Sequence, residues 1–174
     1  QCAGHYEEMP VVDRVLLYEL IDELSKIGID LIVLDVLDAM EYKSHPEISL
    51  KNAFTHEEMR KLLSYMRERG IEPIPKLNFS TCHDEWMGEY GRMVSTTPYY
   101  HFCEDVISEV CEIFGHPRLF HLGMDEAHML GRGKHLDKFG YEKSGVLMNR
   151  HLDKVRELAA KYGYEPMIWS DMFF

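Results

Sequence analysis

The residues best suited to chemistry close the run Phe120-His121-Leu122-Gly123-Met124-Asp125-Glu126. An apolar stretch reaches a glycine and then two adjacent carboxylates. A buried strand with this ending delivers acids to the rim of a fold. Adjacent carboxyls repel when both are ionised, so one can keep its proton to higher pH and act as an acid while its neighbour stays charged. In an extended strand, neighbours point to opposite faces. Both acids therefore reach one pocket only if the strand ends and the chain turns between them, and Gly123 supports such a turn. A simpler reading of the pair stays open: a solvated loop start, or a partner for a helix dipole.

Further polar residues fall at equivalent places along the chain: Asp38 with Glu41, Asn78 with His83, and Asp171. Each group follows an apolar run, and each run follows a segment of helical periodicity. The first helix is expected over residues 13–27, where Leu16, Leu17, Leu20, Ile21, Leu24 and Ile27 recur at helical spacing. Gly28 follows as a C-terminal cap, and residues 29–36 read as a strand. A second helix opens at Thr55 with Glu58 three residues on, the pattern of a capping box. It ends at Gly70, and a strand is expected over 71–79 despite Pro73 and Pro75, which remove ladder donors. Thr97-Pro98 opens a third helix that ends at Gly115, followed by a strand over 118–124. A fourth helix over 144–162 precedes a strand over 165–171. Residues 127–143 read as a surface loop, solvated or acting as a lid.

Near-continuous apolar strands alternating with amphipathic helices predict an α/β fold with a parallel sheet covered by helices. No glycine-rich phosphate loop follows a strand, which disfavours the nucleotide-binding form of that architecture. Polar residues beyond several strand ends are the habit of a (β/α)8 TIM barrel. A whole barrel takes about 250 residues, and this chain has 174 with four expected strands. The expectation is a single partial barrel domain over residues 1–174, about half of a larger barrel.

Composition narrows the partners. The chain is 45% hydrophobic with a formal net charge of -11, which argues against nucleic acid or an anionic membrane as the main partner. Neutral ligands such as sugars fit. No apolar run approaches the roughly 20 residues of a membrane span. The first residue is Gln1, and the compartment stays open, export to a periplasm or beyond being one option. Cys2, Cys82, Cys103 and Cys111 form no Cys-x-x-Cys, so neither a zinc ribbon nor a thioredoxin motif is supported. Cys103 and Cys111 read as buried thiols.

His121-Leu122-Gly123-Met124-Asp125-Glu126 resembles the His-x-Gly-Gly-Asp-Glu motif of glycoside hydrolase family 20, the β-N-acetylhexosaminidases. Ile71-Glu72-Pro73-Ile74-Pro75 resembles that family's third strand, which ends near a histidine, here His83. Met167-Ile168-Trp169-Ser170-Asp171 resembles its fifth strand, and Asp35-Val36-Leu37-Asp38 lies where the second carries acids. The resemblance runs over residues 29–171 and corresponds to strands two to five of the barrel.

The resemblance implies substrate-assisted, retaining hydrolysis of an N-acetylhexosaminide with no cofactor. This chemistry departs from the two-carboxylate scheme because the sugar's 2-acetamido oxygen is the nucleophile. Glu126 would be the general acid and then the base. Asp125 would orient and stabilise the acetamido group. Trp169 would line the sugar ring, and His83, His121, Asp38 and Asp171 would complete the carbohydrate contacts. His121 also reads as an orienter of its neighbours. Trp86 and Tyr90 read equally as a sugar platform and as a cover on the barrel rim. Met124 stands at the family's second glycine and is expected to add bulk beside the acids. Two other readings remain: a metal-dependent barrel hydrolase or isomerase using His83, His121, Asp125, Glu126 and His128, and a non-catalytic carbohydrate-binding barrel. The chain has no His-x-His and no His-Glu-x-x-His to favour the metal.

Overall fold

Local signals in the sequence set most element ends. Asp13 accepts hydrogen bonds from the Val15 and Leu16 amides and starts α1, Arg14–Lys26. Thr55 and Glu58 form the expected capping box at the head of α2, His56–Glu68. Gly115, at φ 68°, caps α3, Thr97–Phe114. That helix starts one residue earlier than its Thr-Pro signal implies. Thr96 is the N-cap, and Pro98 sits in the first turn. The computed structural model describes residues 13–79, 85–128 and 130–173.

Strands β1 (Leu31–Asp35), β2 (Glu72–Phe79), β3 (Leu119–Gly123) and β4 (Glu165–Met167) form one sheet in the order β1-β2-β3-β4, and every pairing is parallel. This is the expected α/β half-barrel arrangement, with helices as the crossovers. Pro73 and Pro75 sit inside β2 opposite Ile32 and Leu34. The Glu72 amide donates to Asp30 and the Lys76 carbonyl accepts from Val36, so even-numbered residues of β2 bond to β1. The prolines fall at odd positions, turned toward β3, and the registered pairing of β2 with β3 starts only at Lys76. The missing donors therefore cost no ladder bond. The last strand is shorter than the expected 165–171. It stops at Met167, although the Trp169 amide still bonds the Gly123 carbonyl at 2.9 Å.

The two faces of the sheet differ. Leu77, Phe79, Phe120 and Leu122 join a large core with Met59, Leu63 and Met66 of α2 and Phe102, Val106 and Val110 of α3. Leu147, Val155 and Ala159 of α5, Ser144–Lys161, complete that layer. On the other face, Asp35, Lys76, His121 and Met167 stand side by side in register. This face corresponds to the barrel interior. Cys103 and Cys111 are buried free thiols on α3, as their spacing implied.

Residues 130–143 are largely exposed, as expected of a surface segment, but they are not all loop. Lys134–Phe139 form a short helix, α4. Its His135 is 1% exposed and bonds Glu142 at 3.0 Å, while Glu142 also takes both guanidinium arms of Arg150 on α5. A Cβ at Gly133, the α4 N-cap with φ 57°, would stand 3.0 Å from the Arg92 carbonyl, so glycine is required there. Six residues carry too little periodicity to announce a helix.

Candidate active site

The acid pair lies just past the carboxyl end of β3, where the chain turns sharply. Gly123, Met124 and Glu126 all have positive φ, at 77°, 74° and 47°. Non-glycine residues in that region cost on the order of 1–3 kcal/mol each and mark sites where structure is held for a purpose. The turn meets the condition set by the alternation of strand residues. Glu126 is exposed, and Asp125 is half-buried with its Oδ1 enclosed and without a hydrogen-bond partner among the described residues.

Met124, between Gly123 and the acid pair, is fully buried and belongs to the hydrophobic core.

Several expected residues meet at this end of the sheet. The Glu126 amide donates to Asp171 Oδ2 at 3.2 Å. Trp169 is 50% exposed, and its ring lies 4.9 Å from that of His121 at 56°. His121 Nδ1 accepts the Gly123 amide at 3.1 Å, so a neutral His121 carries its proton on Nε2. Burial, helped by the Lys76 ammonium, holds this imidazole below its usual range, against the pull of Asp35 and Asp125. His121 thus holds the Gly123 amide, at the base of the turn that carries the acids.

The remaining expected residues lie on other elements. Asp38 lies in the short helical turn Leu37–Ala39 after β1, the edge strand two places from β3 in the sheet. Burial raises its carboxyl pKa, and Asp35 adds to the effect. Trp86 is 3% exposed, so it does not offer a ring face as a sugar platform. Its ring packs on Phe79 and Phe102, and its Nε1 donates to the Asn78 carbonyl. Tyr90 stacks on Phe102 at 4.3 Å. Both aromatics thus close the core above α3. His83 lies outside the described residues.

Lys76 was missed in the sequence. It is 9% exposed in mid-strand and pairs with Asp35 at 2.7 Å. The signal was available, since a lysine inside an apolar strand is unusual unless paired. Among the described residues, no three His, Cys, Asp or Glu side chains stand together in a way that could hold a metal ion. No helix among them is long and apolar enough to cross a membrane. A hollow of about 630 Å³ lined by Arg118, Arg156, Glu157 and Tyr164 lies at the amino end of β3 and β4, away from the acids.

Known structures share this fold. The β-N-acetylhexosaminidase of Bacteroides fragilis superposes with a TM-score of 0.75 at 18% identity, over 95% of this chain and 40% of that one. The chain has the fold of part of a β-N-acetylhexosaminidase barrel. The N-acetyl-β-hexosaminidase of Streptomyces plicatus, solved in complex with Thio-NAglucal, matches at TM-score 0.72 and 17% identity, over 90% of this chain and 36% of that one. The glycoside hydrolase family 20 exo-β-N-acetylglucosaminidase of Vibrio harveyi, in complex with N-acetylglucosamine, matches at 0.71 and 16%, over 94% and 34%. The chain thus spans well under half the length of each of these structures. No protein-family model matches the sequence, and no curated protein matches it.

Proposed function

We propose that this chain is the acid-bearing part of a glycoside hydrolase that cleaves N-acetylhexosaminides by substrate-assisted, retaining catalysis. The observation that carries the reading is the Asp125-Glu126 turn at the carboxyl end of β3, in a half-barrel with the fold of β-N-acetylhexosaminidases. Glu126, at the exposed edge, is the general acid that protonates the leaving oxygen and then the base that activates water. Asp125 has an enclosed oxygen with no donor among the described residues, and this carboxylate accepts the acetamido N–H of the substrate. That bond turns the acetamido oxygen toward the anomeric carbon and stabilises the positive charge of the cyclised intermediate. Trp169, half exposed beside His121, offers a ring face to the pyranose.

Thiazoline analogues of the cyclised N-acetylglucosamine intermediate test this reading. The full-length protein should bind one more tightly than N-acetylglucosamine itself, as expected of a mimic of a high-energy state. Asp125→Ala should lose most of that preference. Equal binding of both compounds, unchanged by Asp125→Ala, would overturn the assignment.

A further inference from the structure

The ion pair in the barrel interior has no role in the mechanism above. Lys76 and Asp35 are opposite each other in the β1–β2 register, with Nζ 2.7 Å from Oδ2, and Lys76 is opposite His121 in the β2–β3 register. One row across three strands therefore holds a carboxylate, an ammonium and an imidazole. The imidazole bonds the Gly123 amide through Nδ1, and Gly123 begins the positive-φ turn that carries Asp125 and Glu126. A second proton on His121 would occupy Nδ1 and break that bond.

We propose that Lys76 is a positioning residue that, tied to Asp35, sets a fixed positive charge beside His121, keeps Nδ1 free to accept from Gly123, and so anchors the acid loop. The inference deepens the glycosidase reading and rests on it only for the purpose of the loop.

The groups around His121 act in opposite directions. From β1 comes Asp35, and from the turn after β3 comes Asp125; both favour the charged ring. From β2 comes Lys76, which disfavours it. From β4 come Met167, in register with His121, and Trp169, packed on its ring; neither is charged. Lys76 is thus the cation that balances two carboxylates around one histidine. Without it, Asp35, one strand further along the row, stands unpaired and its pull on the ring is unopposed.

Nitrogen-15 NMR titration of His121 in the full-length protein reads this directly and needs no hydrolysis assay. Wild type should show the Nε2–H tautomer through the neutral range. Lys76→Met should raise the His121 midpoint by about one pH unit or more, the scale of an adjacent charge. Lys76→Arg should stay near wild type, and Lys76→Met with Asp35→Asn should return most of the way. Asp35→Asn alone should lower the midpoint, which keeps the proposal open to refutation if Lys76→Met does not fold. An unmoved midpoint in folded Lys76→Met, an unmoved midpoint in Asp35→Asn, or an Nδ1–H tautomer in wild type would each overturn it. Loss of hydrolysis with an intact titration pattern would instead count against the glycosidase reading.

Discussion

Trp86 and Trp169 belong to opposite faces of one sheet. Trp86 is buried with Phe79 and Phe102 in the helix-side core. Trp169 is half exposed and leans on His121, in the row that holds Lys76 and Asp35. The same strands build both environments by alternation, with apolar side chains toward the helices and titratable ones toward the barrel interior. The contrast shows where chemistry can be placed at little cost to folding. The helix side supplies stability, and the interior is free to hold charge.

Substituting the two tryptophans tests that division most strongly. Trp86→Ala removes a buried ring and should cost about 3–5 kcal/mol, read as a shift in urea midpoint. Trp169→Ala should cost less than about 1 kcal/mol and should instead weaken sugar binding. If the stability losses came out alike, the division between faces would fail.

A buried histidine of the helix-side core gives a second test. His151 is buried between α3 and α5, where its Nδ1 meets the Tyr100 hydroxyl at 2.9 Å. Burial pushes its pKa down to about 3 from 6.5, against a smaller upward pull from the Phe79 backbone. Above the unfolded value neither state is protonated, and stability is full. As pH falls below 6.5, the unfolded chain gains a proton that the folded chain refuses until about 3. Stability should decline across that window by up to about 1.4 kcal/mol per pH unit. Urea titrations from pH 7 to 4 should show a shallower decline for His151→Gln, and equal slopes would remove His151 from the account.

Met124 tests the junction between faces. Met124→Gly relieves a left-handed residue, worth about 1–2 kcal/mol, but empties a fully buried site worth about 2–5 kcal/mol. Net destabilisation of up to about 4 kcal/mol should follow in thermal unfolding. Stabilisation would mean that the core does not use this side chain.

The sequence made the parallel half-barrel legible because its period signals were strong. Thr55 with Glu58, Gly115 and the apolar runs each had one physical reading, and the structure follows them. The acid turn was legible too, because Asp125 and Glu126 follow a glycine at a strand end. What was hidden depends on contacts between elements. Trp86 is distant in sequence from Phe102, which buries it. Lys76 becomes meaningful only when β1 brings Asp35 beside it. The short α4 is held by His135 and Glu142 rather than by its own periodicity.

The central claim is that Glu126 moves the proton in glycoside cleavage. The direct test is kcat/KM of the full-length protein and of Glu126→Gln on a chromogenic N-acetylglucosaminide or N-acetylgalactosaminide. The amide cannot donate or accept the catalytic proton, so turnover should fall by about 10²–10⁴-fold while the fold is kept. Unchanged turnover in Glu126→Gln on a substrate the wild type accepts would contradict the account.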